Sequence, residues 1–331
     1  MGSEIGDEMS EILGLHHVTA IASDPQKNID FYAGILGLRL VKLTVNYDDP
    51  TTYHLYYGDG QGHPGTIMTF FPWPGAIAGR IGTGQLTVTS FTVPEKSLVY
   101  WKSRLTEHQI PVQETRSEFD EQLLFFTDPD GLQLELVATP EANPDRVWSR
   151  GPVPADFAIR GFHHVTLSES GYEGTASLLT DTLGFRRLQE HGSRFRYAVS
   201  TGIAGTIVDL ICAPEGKPGR VAVGTVHHVA WRTPTDKQQA NWRETIRELH
   251  YDVTPVMDRT YFHSIYFREP GGVLFEIATD PPGFAVDEPA DRIGSALVLP
   301  PWLEGERGEL ERVLPTVHLP KLSGGQADAA D

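Results

Sequence analysis

The sequence predicts an α+β protein built from four βαβββ modules that pair into two barrel-like domains of mixed sheet. Two internal matches carry this reading. His17 to Gly37 spans the same 20 residues as His164 to Gly184, and each stretch then reaches a similar run, GTIMTF from Gly65 and GTIVDL from Gly205. TVPEKSLVYWKSRL likewise resembles RTPTDKQQANWRETI, and these lead to DPDGLQLELVAT (128–139) and EPGGVLFEIATD (269–280). The order is therefore A-B-A′-B′, four units of roughly 50 to 60 residues. A lone βαβββ unit has an exposed sheet edge and half a core, so the units must pair.

Each module is expected to open on a strand: HHVTAI and HHVAWR are rich in β-branched and aromatic residues. Residues 25–36, 95–107 and 235–250 carry apolar side chains at helical spacing. Tyr56-Tyr57, Leu123–Phe126 and Ile265–Phe267 lie in short runs bounded by Gly, Asp and Pro, and read as strands of a closing meander. On this basis residues 1–140 hold the first two modules and 161–280 the third and fourth. The proline-rich, polar stretch 141–160 connects the halves, and 281–331 forms an extended C-terminal tail ending in a disordered SGGQADAAD.

The composition bounds the function. At 331 residues, 40% apolar and 21% charged, the chain is an ordinary soluble globular protein with room for two cores. With 27 basic and 44 acidic residues the net charge is −17, which disfavours nucleic acid or an anionic membrane surface as partner. The single cysteine, Cys212, permits no intrachain disulfide. The acidic start lacks an apolar signal core, and no run approaches the ~18 apolar residues of a span. A cytoplasmic location is the expectation. The number of subunits is not set by the sequence, and a homo-oligomer is compatible with it.

The chemistry-bearing residues are histidine doublets. GLHHVTA near the start and TVHHVAW near the end repeat one wording, and Glu276 follows His228 by 48 positions. Two imidazoles and one carboxylate from separated strands can form the 2-His-1-carboxylate triad that holds Fe(II) by one face and leaves the other open. The repeat adds force, because His17, His164 and His228 each precede Val at the same point of a first strand, whereas Val88 stands in the fourth such place. Glu135 and Glu276 both lie four residues past a turn glycine. Two ligand sets follow from two pairings. Neighbouring modules would offer His164, His228, Glu276 and Asp209, a four-ligand set suited to a Lewis-acid isomerase using Zn or Ni. First-with-fourth pairing would offer His17, His228 and Glu276, with Thr69 in the fourth place and an open face. Spacing alone does not choose between them.

From residue 14 to about 280 the chain resembles the vicinal oxygen chelate superfamily, which is built from paired βαβββ units. Within it, GLHHVTA, HHVAW and RTYFHSIYFREPGGVLFEIATD resemble the ring-cleaving dioxygenases that open hydroquinones. The resemblance implies His17, His228 and Glu276 as iron ligands and makes His164 a remnant or a structural residue. It also implies site roles for His16, Thr19, His227, Arg259 and Tyr266. Strand alternation puts Thr19 on the face of His17, whereas His16 and His227 reach the site only if the strands are bulged. Arg259 would stabilise a substrate oxyanion and Tyr266 exchange a proton at a ring oxygen. The expected activity is cleavage of a hydroquinone-type ring by O2 at Fe(II), with Mn(II) as an alternative occupant. Its partners are a small aromatic substrate and O2. The rivals are a glyoxalase-like isomerase, a catechol extradiol dioxygenase, and a metal-independent protein that sequesters aromatic compounds. FFPWPG (70–75) and His263 are further candidates for the pocket wall, while GDGQGHPG (58–65) precedes a strand and indicates no phosphate cradle.

Overall fold

A computed structural model describes residues 11–140 and 142–319. Module one comprises β1 (Leu15–Ala22), α1 (Pro25–Ile29), β2 (Arg39–Asn46), β3 (Asp49–Gly58) and β4 (Ile67–Pro72). Module two comprises β5 (Gln85–Pro94), α2 (Leu98–Glu107), β6 (Gln113–Arg116), β7 (Gln122–Thr127) and β8 (Gln133–Thr139). Module three comprises β9 (Phe162–Glu169), α3 (Glu173–Ser177), β10 (Arg186–His191), β11 (Arg194–Ala198) and β12 (Ile207–Cys212). Module four comprises β13 (Thr225–Thr233), α4 (Asp236–Glu248), β14 (Met257–Asp258), β15 (His263–Arg268) and β16 (Leu274–Thr279).

The helices form where capping and apolar spacing require them. Asp24 accepts a bond from the Lys27 amide and Pro25 opens α1; Thr235 does the same for α4 through the Gln238 amide. The helical stretch after α1 continues in wider π-type turns over Asp30–Ile35, closed by Leu36 N donating to Phe31 O. The repeated tryptophans explain themselves: Trp101 on α2 and Trp242 on α4 are both buried against the sheets.

Module one pairs with module four, and module two with module three. The two eight-stranded sheets run β14-β15-β16-β13-β1-β4-β3-β2 and β10-β11-β12-β9-β5-β8-β7-β6. Each therefore draws one module from each half of the sequence and curls into a half-barrel. Within a module the first and last strands are parallel neighbours; between modules the two first strands pair antiparallel. The apolar core is continuous across both sheets. The first strands also join the sheets end to end, Leu15 N donating to Gly205 O and Phe162 N to Gly65 O.

The residues after 280 run along the outside of β2 and β3. Lys42, fully buried, ion-pairs with Asp287 and Glu288 and lies 4.7 Å from the Tyr261 ring centre. Val298 N donates to Leu43 O, and Tyr53 donates to Pro315 O. The tail is not wholly extended, since a short helix α5 (Arg307–Val313) buries Leu310. The SGGQADAAD segment lies outside the described residues. Among the described residues no helix is long and apolar enough to cross a membrane.

Candidate metal centre and cavity

The antiparallel pairing of β1 with β13 decides which histidines meet. Thr19 faces His228 and His17 faces Ala230, and Ala230 in turn sits beside Glu276 on β16. His17 Nε2 lies 3.1 Å and His228 Nε2 3.0 Å from Glu276 Oε2, and the two nitrogens are 3.3 Å apart. All three residues are buried, and among the described residues they are the one group of His, Cys, Asp or Glu with ligand atoms this close together.

These separations fit a cation. Ligand atoms bonded at about 2.1 Å and set at right angles stand about 3 Å apart. Glu276 Oε1 accepts the Ser264 hydroxyl, but Oε2 is buried with no hydrogen-bond donor despite the two close nitrogens. An orphaned carboxylate oxygen beside two ring nitrogens is costly unless an ion takes its lone pair.

The histidine doublets have a shared geometry that alternation alone would forbid. The β1–β13 register slips between Leu15 and His17, making His16 a bulge, and slips again opposite Thr19 and Ala20, making His227 one. The bulges let neighbouring imidazoles meet: His16 and His17 approach Nδ1 to Nδ1 at 2.9 Å, and His227 and His228 at 2.8 Å. His16 Nε2 lies 3.1 Å from Thr279 O, an acceptor only, so that nitrogen carries the proton. Burial, then His17, pushes His16 down to about 3, so the ring is neutral and its Nδ1 accepts from His17 Nδ1–H. That leaves His17 Nε2 with a lone pair aimed at Glu276. This is how an outer partner fixes the tautomer of a ligating histidine.

A cavity of about 340 Å³ opens over this group, lined by His17, His228, His227, His54, Arg259 and Tyr266 among others. Phe71 and Trp73 of the FFPWPG run are also in its wall, as is Phe262. Tyr266 is the direct cross-strand neighbour of Glu276. Burial raises its hydroxyl and Glu276 adds to this, so the phenol stays protonated at neutral pH although Arg259 pulls the other way. Arg259 Nε lies 3.4 Å from the Tyr266 hydroxyl, and its Nη2 pairs at 3.2 Å with Asp48 of module one. His16 and Thr19 do not reach the cavity. His16 backs His17, and the Thr19 hydroxyl meets that of Thr69 at 2.9 Å. His263 points away from the cavity to Asp236 at 2.6 Å, because it alternates with Ser264 on β15.

The second sheet has the same frame without the same ligands. His164 lies 3.7 Å from Glu135 and 3.6 Å from Asp209, and Val88 takes the place matching His228. Arg196 pairs with Asp209 at 2.7 Å and Arg194 at 3.0 Å, so guanidinium groups balance the carboxylates. His164 and Asp209 are therefore in the other sheet from His228 and Glu276, and the four-ligand set is not assembled. Sequence reasoning missed His54 and Tyr56. The available signal was strand alternation, since two residues apart on β3 they share a face.

Residues 14–136 and 161–277 each match the profile of the Glyoxalase/Bleomycin resistance protein/Dioxygenase superfamily. The chain belongs to this superfamily. It is 49% identical over 302 residues, 91% of its length and 96% of the relative's, to a Bacillus subtilis (strain 168) protein named "Putative ring-cleaving dioxygenase MhqO". It is 35% identical over 307 residues, covering 91% and 95% of the two chains, to the chlorohydroquinone/hydroquinone 1,2-dioxygenase of Sphingobium indicum. The crystal structure of a Bacillus subtilis protein described as a "putative dioxygenase" superposes with a TM-score of 0.90 at 47% identity, covering 95% of this chain and 100% of that one. Glyoxalase I from Zea mays superposes at 0.61 with 14% identity over 81% and 92%, a likeness of fold alone.

Proposed function

We propose that this superfamily member is a ring-cleaving dioxygenase that opens a hydroquinone-type ring with O2 at Fe(II) held by His17, His228 and Glu276. The observation that carries the reading is the convergence of two imidazole lone pairs and one orphaned carboxylate oxygen beneath a cavity with a largely aromatic wall. The relatives named above support the substrate class. Three protein ligands with Thr69, not an acid, in the fourth place leave room for substrate and oxygen, which speaks against the isomerase reading. Fe(II), when bound, lowers the pKa of a coordinated phenol and passes electrons between ring and oxygen; Mn(II) suits the same donors.

The chain's own residues do the rest. Arg259 stabilises negative charge developing on a ring oxygen, its guanidinium aimed by Asp48 and the Tyr266 ring. Tyr266, protonated and buried, hydrogen-bonds the same region of the substrate and supplies a proton as the ring opens. With His228 Nδ1–H donating to His227 Nδ1, the His227 Nε2–H faces the cavity as a further donor. His16 and Thr19 orient the groups beneath. Phe71, Trp73, Phe262 and Leu274 exclude water from the ring.

The test is anaerobic Fe(II) loading followed by oxygen-electrode assays on hydroquinone, methylhydroquinone and catechol, with His17→Ala and His164→Ala alongside. Oxygen uptake matched to loss of a 1,4-diol, abolished by the first variant and retained by the second, is the expected result. Turnover without oxygen uptake, or preference for catechol, overturns the assignment.

A further inference from the structure

A second cavity, of about 430 Å³, opens where the first strands join the two sheets end to end, and its lining is basic. Arg146 and Arg160 enter it from the segment that connects the halves, and Arg232 from β13. Among the described residues no Asp or Glu lines it, although the chain as a whole carries a net charge of −17. The three guanidinium groups are unequally partnered. Arg232 is held by Asp280 through Nε and Nη2. Arg146 has five N–H donors, and its one hydrogen bond runs from Nη1 to Pro64 O at 3.0 Å. Arg160 donates to the Pro144 and Ala155 carbonyls, but its Nε is buried with no acceptor. Of the three, Arg232 alone forms an ion pair among the described residues. Burial lowers Arg146 and Arg160 from the ordinary arginine range; Asp59 and Asp156 respectively offset part of this, and Arg232 lowers Arg146 further. Half-buried cations without a counter-charge are costly unless an anion joins them. Gly65 belongs to the same arrangement. It has a φ of +86°, and a Cβ there would stand 3.1 Å from Arg146 Nη1. The glycine-rich run that ends at Gly65 therefore clears space for a guanidinium group, while the Gly65 amide is taken by His16 O.

We propose that this basic cavity binds a small doubly charged oxyanion, a dicarboxylate or hydrogen phosphate, at a site separate from the metal centre. Arg146 offers the planar fork that matches two oxygens of a carboxylate or phosphate. Arg160 Nε supplies a donor that otherwise has no acceptor. Arg232, though paired with Asp280, adds to the positive potential. Two negative charges on the ligand balance the two guanidinium groups that have no carboxylate of their own. The bound anion ties the connecting segment, which carries Arg146 and Arg160, to the junction of the two sheets. The site goes beyond the dioxygenase reading and does not depend on it.

Isothermal titration calorimetry on the full chain, at mildly alkaline pH and low chloride, tests this with succinate and inorganic phosphate as separate probes. The proteins compared are wild type, Arg146→Gln, Arg160→Gln, Arg146→Lys and His17→Ala. One-to-one binding is expected in wild type, weakened by about 10- to 100-fold in each glutamine variant through loss of a charge-assisted hydrogen bond. Arg146→Lys keeps the charge without the fork and is expected to fall between the two. His17→Ala should bind as wild type does, whereas an anion seated on a metal at His17, His228 and Glu276 would be lost with it. The probe that binds more tightly identifies the source, a carboxylic acid or free phosphate. Thermal unfolding separates loss of the site from misfolding. Without anion, Arg146→Gln is expected to melt at or above the wild-type Tm, because the charge it removes has no partner; the rise in Tm that the anion gives wild type disappears. Absence of binding heat in wild type, undiminished affinity in both glutamine variants, or binding abolished by His17→Ala overturns the proposal. A Tm rise matched by chloride at the same ionic strength is screening and overturns it too.

Discussion

Replacing His16 with leucine tests whether the bulged doublets serve the metal centre. His16 is buried, does not line the cavity, and makes two polar contacts, to His17 at 2.9 Å and to Thr279 O at 3.1 Å. Leucine fills much of the ring's volume but leaves the His17 Nδ1–H without its acceptor and Thr279 O without that donor. Each buried group left unpaired costs about 1–3 kcal/mol of folding stability. The ligand itself is untouched, yet its tautomer is no longer fixed, and losing such an outer partner lowers metal affinity by about 10- to 100-fold. That corresponds to about 1.4–2.7 kcal/mol of binding free energy. Competition dialysis of Fe(II) against a calibrated chelator, under anaerobic conditions and with folding checked by circular dichroism, reads this directly. His163→Leu is the control: it breaks the same contact, 2.9 Å between His163 and His164, in the sheet whose carboxylates are balanced by arginine. Equal affinities for wild type and folded His16→Leu, or equal losses in the two variants, would refute the reasoning.

Other expectations follow from the buried charges. Glu169 is fully buried with neither carboxylate oxygen hydrogen-bonded; burial, then Glu269, pushes it up to about 8. Its folded pKa lies above the unfolded value, so its favourable contribution is present below the unfolded pKa and is lost as pH rises through the folded one. Glu169→Gln is thus expected to stabilise the protein by on the order of 5 kcal/mol at pH 8.5, given about 1.4 kcal/mol per pKa unit over the rise from 4.5 to about 8, and by little at pH 4. Urea unfolding at the two pH values checks this, and a gain independent of pH would contradict it. Arg196→Met removes the guanidinium partner of Glu121 and leaves Asp209 with Arg194 alone, and is expected to cost about 3–5 kcal/mol in chemical denaturation while leaving metal content intact. Tyr266→Phe should lower kcat by about 100-fold at unchanged iron content, measured by oxygen uptake; an unchanged kcat would remove Tyr266 from the proton chemistry.

Much of this architecture was legible in the repeat. The spacing from His17 to Gly37 and from His164 to Gly184, and the paired tryptophans 101 and 242, announced four equivalent modules before any contact was known. Helices 25–36, 95–107 and 235–250 followed from apolar spacing and agree with the structure to within the fraying of their ends. The sequence set Glu135 and Glu276 at one equivalent place, four residues past a turn glycine, and in the structure each lies on a last strand that runs parallel beside the first strand of its module. His54 was not legible: a half-buried histidine two residues from a tyrosine looks like any strand surface until the opposite module closes over it.

What the sequence determined by itself is the set of modules and the residue types each could offer to an ion, because repeat period, strand alternation and turn position are local properties. Which modules share a sheet was decided only in three dimensions. βαβββ edges are alike in hydrogen-bonding capacity, and the pairing of β1 with β13 depends on continuous packing across both sheets. That one pairing joins His17 with His228 and sends His164 to the arginines. The bulges at His16 and His227 belong to the same level, since a register slip exists only between two strands already side by side.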